Sequence, residues 1–143
     1  MQVRDLQAEA RERHQPLKDA AATLREAANS SGGDRFDRIA ATLARVATAL
    51  EAHIALTEGP EGIHAELLAV APRLSNDIRL LAKDHAFMEC LIETTGFALG
   101  DDPPDEETVE GHVTRLLDRI ARHRLHDGQM VYEAYQVDIG GQA

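Results

Sequence analysis

Four long stretches of the sequence place apolar residues at alternating intervals of three and four, and this pattern most constrains how the chain can fold. Such spacing brings side chains to one face of a helix with 3.6 residues per turn. The spacing predicts long helices over residues 3–28, about 34–58, about 74–99 and about 105–137, and a shorter helix within 61–73. The predicted fold class is therefore all-α: an up-down-up-down four-helix bundle in which residues 1–143 form a single domain.

Turn-forming residues and candidate caps mark the ends of these helices. Asp34 follows the segment NSSGG and is expected to cap the second helix, and Ser75 or Asn76 is expected to cap the third. Pro16 lies inside the first predicted helix, where it either kinks the helix after His14 or marks the start of its stable part.

Charge and composition limit the partners of the chain. Its 25 acidic residues outnumber 15 Lys and Arg, and a formal net charge of −10 argues against nucleic-acid binding. No apolar run approaches the roughly 20 residues of a membrane span, and the charged N-terminal stretch does not resemble a secretion signal. Cytoplasmic localisation without membrane association is therefore expected. Cys90 is the single cysteine, so the fold does not depend on an internal disulfide.

Four of the seven histidines fall on the inward stripes, one in each long helix. These are His14, His53, His85 and His123. The remaining three fall off the main stripes or in a connection and are interpreted as structural or solvent-facing: His64, His112 and His126.

The spacing of the inward histidines indicates that they share one level of the bundle. His14 and His53 are 39 residues apart across the first predicted hairpin, and His85 and His123 are 38 apart across the second. Counted from turns near residues 31 and 102, the members of both pairs lie about 17 and about 21 or 22 residues away, a mismatch of about 6–8 Å along the axis. Four histidines at one level are then close enough to act together.

Buried imidazoles need polar partners, because each unsatisfied one costs about 1–3 kcal/mol. A shared metal satisfies all four, and imidazoles with carboxylates on facing helices suit non-haem iron or another divalent transition metal. Asp127 and Glu89 stand four residues after inward histidines, about 40° away on the helix. On the second helix that position is Thr57, and Glu58 reaches the interior only if the break at Gly59-Pro60 unwinds the last turn.

The order of these motifs resembles the hemerythrin, or HHE cation-binding, family. The resemblance covers about residues 10–135 and rests on an inward His in the first helix, a His followed by acids late in the second, KDHAFME in the third and ARHRLHD in the fourth. Members are four-helix bundles that hold a bridged di-iron centre and bind or react with oxygen species.

The resemblance implies a non-haem di-iron cofactor and dioxygen or peroxide as its small ligand, with a role in oxygen, redox or iron sensing or scavenging rather than dedicated catalysis. His14 and His53 would hold one iron, His85 and His123 the other, and Asp127 would bridge them. The complete predicted set of metal ligands is His14, His53, Glu58, His85, Glu89, His123 and Asp127.

Two other functions stay open from the sequence. Two inward histidines could ligate haem, although four at one level leave little room for a porphyrin and the chain has no CxxCH motif. A metal-free bundle acting as an interaction module is the alternative that Thr57, in place of the family's glutamate, favours. A protein partner or a homodimer is compatible with all of these hypotheses.

Overall fold

A computed structural model describes residues 6–135, with side chains from residue 8 onward, and its regular structure in that range is helical. The helices are α1 (Leu6–Asn29), α2 (Arg35–Glu58), α3 (Ile63–Val70), a 3-10 turn (Pro72–Leu74), α4 (Ser75–Leu99) and α5 (Glu106–Tyr132). The all-α fold class and the four long helices are thus confirmed. Residues 3–5 and 136–137, which the periodicity also predicts as helical, lie outside the described residues.

The predicted helix ends are nearly right, but the capping roles differ. Asp34 occupies the N-cap position of α2, yet its side chain makes no capping hydrogen bond and pairs with Arg38 instead. Ser75 is the first residue of α4 rather than its cap. By contrast, the Asp105 carboxylate accepts the Thr108 backbone N–H at 3.0 Å and caps α5.

Pro16 lies within α1 without ending it, because the helix runs without interruption from Leu6 to Asn29. The Pro16 side chain is exposed, so its ring lies on the solvent face of the helix. His14 and Leu17, on either side of it, are both buried and keep the inward register. The proline therefore leaves the inward stripe of α1 continuous.

The long helices form a bundle in which α1 packs against α2 and α5, and α4 packs against α5 and α2. Their inward stripes meet in an apolar group that we call the loop-end cluster, because it extends toward the α1–α2 and α4–α5 connections. It consists of Leu17, Leu24, Ala27, Ile39, Leu43, Val46, Leu50, Met88, Leu91, Ala98, Val109, Val113, Leu116 and Ile120.

A second apolar group, the cap cluster, closes the opposite end, where α3 and the 3-10 turn pack against α4. Its members are Ile63, Leu67, Ala71, Leu74, Ile78, Leu81, Met130, Val131 and Ala134. Gly62 allows the chain to enter α3, since a β-carbon there would lie 2.5 Å from the Thr57 carbonyl oxygen.

The two clusters leave a polar layer between them. Along α4 the buried residues run from Leu81 of the cap cluster through His85 to Met88 of the loop-end cluster. Along α5 they run from Ile120 of the loop-end cluster through His123 and Asp127 to the cap cluster. The inward histidines therefore lie inside the protein with apolar side chains on both sides.

By length and composition alone, the segment Arg35–Val70 is apolar enough to cross a membrane, with a mean hydropathy of 1.4 in its most apolar window. The lengths of the apolar runs in the sequence predict no such span. Core helices of globular proteins meet the same criterion, and one third of that window is buried within the bundle.

Candidate metal centre

Three imidazoles from three different helices converge in the polar layer. His53 of α2, His85 of α4 and His123 of α5 are each only 1% exposed. The Nε2 atoms of His85 and His123 are 3.0 Å apart, and those of His53 and His123 are 3.3 Å apart. One nitrogen from each of the three rings lies within 4.8 Å of the other two, which is close enough for all three to bind one metal ion.

Carboxylates orient two of these rings from behind. The Nδ1 atom of His85 lies 2.6 Å from Oε2 of Glu58, and the Nδ1 atom of His123 lies 2.7 Å from Oδ2 of Asp84. A carboxylate accepts hydrogen bonds, so each Nδ1 carries the proton and donates it. In the neutral rings the two Nε2 atoms are therefore unprotonated and present their lone pairs to each other.

The facing Nε2 atoms of His53, His85 and His123 do not carry enough protons to pair every lone pair in a hydrogen bond. Burial, followed by the neighbouring imidazoles, lowers the pKa of His53 and of His123 to about 3, so both rings are neutral at pH 7. A proton on Nε2 of His53 could be donated to His123, but it would leave the lone pair of His85 unmatched. A cation among the three nitrogens removes this conflict, because every lone pair then points at positive charge.

The observed spacing fits such a cation. Nitrogen ligands about 2.1 Å from a shared ion lie about 3.0 Å apart in octahedral geometry and about 3.4 Å apart in tetrahedral geometry. Neutral imidazole is a good ligand for iron, zinc, copper and nickel. A carboxylate on the far nitrogen of a ligating histidine is the usual support of such a site, since it sets the tautomer and the ring orientation. The three histidines thus lie close enough to bind one metal ion, and Glu58 and Asp84 orient two of them.

His14 and Asp127 form a second polar pair in the same layer. Nε2 of His14 lies 2.5 Å from Oδ2 of Asp127, and the His14 ring centre is 4.7 Å from that of His53. Burial tends to raise the pKa of Asp127, but the hydrogen bond and the charge of His14 outweigh it and lower the pKa to about 2. Oδ1 of Asp127 and Nδ1 of His14 are buried without hydrogen-bond partners. The pair therefore adds an ionised carboxylate with a free oxygen to the layer.

The structure brings five of the seven predicted ligands together in this layer: His14, His53, His85, His123 and Asp127. The ring centres of each implied hairpin pair lie close together, 4.7 Å apart for His14 and His53 and 4.6 Å apart for His85 and His123. The histidines of α2, α4 and α5 meet one another, whereas His14 of α1 is bound to Asp127.

Glu58 and Glu89 do not have the places expected of bridging or terminal ligands. The α2 helix continues through Glu58 to a cap at Gly59, so no unwinding turns this carboxylate inward. Its carboxylate contacts Nδ1 of His85, the ring nitrogen that does not face the other imidazoles. Glu89 is exposed and lies outside the layer. Thr57 is fully buried, but its hydroxyl donates to the His53 backbone carbonyl at 2.9 Å.

Two residues of the site are missed by the sequence interpretation. Asp84 directly precedes His85 and orients His123 across the α4–α5 contact, while its other oxygen lies 3.3 Å from the Arg119 guanidinium. Burial raises the pKa of Asp84, and Arg119 opposes that effect. His64, expected to be structural or solvent-facing, is buried and its ring lies parallel to His85, with the centres 6.0 Å apart.

The other two off-stripe histidines are placed nearer to expectation: His126 is exposed and His112 is half-buried.

Comparison of the chain with protein-family models, with curated proteins and with solved structures gives no match. The chemistry of the site is therefore inferred from the geometry of its residues.

Proposed function

We propose that this chain is a hemerythrin-like non-haem iron protein, an up-down-up-down bundle whose histidine layer holds a di-iron centre. Its small ligand is dioxygen or peroxide, and its role is sensing or scavenging in the cytoplasm rather than dedicated catalysis. The observation that carries the proposal is the pair of facing Nε2 atoms of His85 and His123, which are 3.0 Å apart. Each Nε2 is unprotonated in the neutral ring because a carboxylate holds the ring proton at Nδ1.

The second ion of the centre is proposed from the His14–Asp127 pair. Asp127 offers an unpartnered oxygen, and His14 lies within 6.1 Å of His123, ring centre to ring centre. An ionised carboxylate in a layer of imidazoles is a ligand type that can bridge two cations. When bound, iron would supply redox chemistry and open coordination positions for a small ligand.

The residues of the chain have separable roles in this proposal. Glu58 and Asp84 hold the imidazoles in the tautomer that ligates metal. Asp127 adds the negative charge that offsets a cation in an apolar interior. The loop-end cluster and the cap cluster exclude water from both sides of the layer, which strengthens the electrostatic interactions within it.

The test is metal analysis of protein purified without a metal-affinity tag and reconstituted with ferrous iron. We expect about two irons per chain in the intact protein and a marked loss in His123→Ala, because removal of a ligand leaves water or an open position. His112→Ala and His126→Ala are the matched controls and should retain their iron. An absence of bound iron after reconstitution, or equal losses in all three variants, would contradict the proposal.

The alternative, a metal-free interaction module, is favoured by a different observation. Thr57 occupies an inward position where a carboxylate would complete the centre, and Glu89 points away from it. Large apolar side chains are also exposed, above all Phe97, which is 83% exposed. The same reconstitution separates the two functions, since a module of this kind binds no iron and its Phe97→Ser variant loses its partner.

A further inference from the structure

A groove between α1 and α5 leads from the surface to the polar layer. It encloses about 380 Å³ and is lined in part by His14 and Gly128. This volume lies within the range of small-molecule sites, which begins at about 300 Å³, and is far larger than a diatomic ligand needs. The groove can therefore hold a molecule of several carbon atoms.

Three cationic side chains surround the groove, although the chain as a whole carries a formal charge of −10. They are Arg11, Lys18 and Arg124. Among the ion pairs within residues 8–135, none joins a carboxylate to any of the three groove cations. Three cationic side chains around one groove favour the binding of an anion there.

The inner wall supplies a buried polar group without a partner. His14 is only 5% exposed, and its Nε2 is engaged by Asp127. Its Nδ1 has no hydrogen-bond partner and almost no solvent-accessible surface. His14 therefore closes the inner end of the groove with its ring, and a ligand in the groove packs against that ring.

The remainder of the wall is small or apolar. Leu125 is 65% exposed at the rim, and a β-carbon placed on Gly128 would meet no atom within 4 Å. The groove therefore owes part of its space to the missing side chain at position 128. An apolar ligand body can lie there against Leu125.

We propose that the α1–α5 groove binds a small organic anion with an apolar body, of the class of short-chain carboxylates. The anionic group lies among Arg11, Lys18 and Arg124, and the apolar body lies over Gly128 and against Leu125. This site does not require a metal, so it stands independently of the proposed iron centre.

The probe is hexanoate, titrated into chelator-treated protein and followed by the amide resonances of residues 10–18 and 121–128. Hexylamine has a similar chain with the opposite charge, and inorganic phosphate has the charge without the chain. We expect saturable shifts with hexanoate and weaker binding of both comparison compounds. Absence of saturation, or equal binding of hexylamine or phosphate, would overturn the proposed ligand class.

Two pairs of variants locate the binding. Gly128→Leu fills the groove and should weaken hexanoate binding at least about tenfold, whereas Gly111→Leu, also at an open position of α5, should leave it unchanged. Arg124→Gln should weaken binding by up to about fivefold, whereas Arg115→Gln should have no effect. Circular dichroism verifies that each variant is folded. Unchanged affinity in both folded Gly128→Leu and Arg124→Gln would place the ligand elsewhere and refute the site.

Discussion

The loop-end cluster and the histidine layer are built by the same four helices in the same register, yet they have opposite effects on stability. Along α5 the inward stripe passes through Leu116 and Ile120 to His123 and Asp127 without a change in backbone. Each fully buried leucine stabilises the fold by about 1.5–3 kcal/mol. Each buried imidazole without full hydrogen bonding instead costs about 1–3 kcal/mol.

The two regions therefore differ in how far the metal-free protein satisfies its own buried groups. The loop-end cluster is apolar throughout its buried members, so it can stabilise the bundle without a ligand. The layer has at least three buried side-chain atoms without partners: Nδ1 of His14, Nδ1 of His53 and Oδ1 of Asp127. Such unsatisfied groups and shifted pKa values are typical of functional sites.

The largest expected effect is acid destabilisation of the metal-free protein, because the unfolded chain protonates histidines that the folded layer keeps neutral. His53 and His123 have a pKa near 3 when folded and near 6.5 when unfolded, so between these values the unfolded chain binds more protons and stability falls as pH falls. From pH 7 to pH 5 each histidine should cost about 2 kcal/mol, together about 4 kcal/mol.

Urea unfolding of chelator-treated protein at pH 7 and pH 5 measures this loss. The matched control is the double variant His53→Leu/His123→Leu, whose stability should be much less sensitive to pH in the same window. Asp127, with a pKa near 2 when folded, adds stability that is lost only at lower pH, as pH falls from about 3.8 through 2. Equal pH dependence in the intact protein and the double variant would contradict the assignment.

The second-largest expected effect is the loss of stability when a buried leucine of the loop-end cluster is removed. Leu116 is fully buried, so Leu116→Ala should lower the free energy of unfolding by about 2–5 kcal/mol through lost burial and a residual cavity. In metal-free protein His123→Leu should cost less than this, because it removes the contact in which the Nε2 lone pairs of His123 and His85 face each other at 3.0 Å. Denaturant midpoints of both variants at pH 7 provide the comparison, and a greater loss in His123→Leu would reverse the roles given to the two regions.

A smaller effect concerns the support of the layer. Asp84→Asn keeps the shape of the side chain but removes the charge behind His123, so metal affinity should fall about 10–100-fold. Asp118→Asn is the control, since Asp118 is exposed on α5 and pairs with Arg122 one turn away. Competition with a chromophoric chelator measures both affinities. If the two variants bind metal equally well, Asp84 does not act through His123.

The smallest effect asks whether the two regions differ in their helix backbone. Gly111 lies on α5 beside the loop-end cluster, Gly128 lies on α5 beside the layer, and a β-carbon at either position meets no atom within 4 Å. Gly→Ala at each should therefore stabilise the protein by about 1 kcal/mol. Thermal unfolding should show similar increases. A gain at Gly111 but a loss at Gly128 would show that the layer constrains the backbone as well as the side chains.

Much of the site was predictable from helical periodicity, and the exposure of Glu89 was predictable in the same way. On α5 the buried positions around His123 continue at +4 to Asp127, whereas on α4 the buried position after His85 is Met88, at +3. In a heptad stripe the inward intervals alternate between three and four, so the same +4 offset points inward after one histidine and outward after the other. Glu89 is exposed for this reason, and Thr57, at +4 from His53, is buried.

The sequence by itself determined the four amphipathic helices and the inward-facing histidine on each of them, because local spacing on a helix sets the face on which a side chain lies. Only the tertiary structure decided which nitrogens meet. Glu58, Asp84 and His64 lie beside the stripes or on α3, and their contacts with His85 and His123 depend on how neighbouring helices are rotated and offset. Those quantities come from packing between helices, which the periodicity within one helix does not specify.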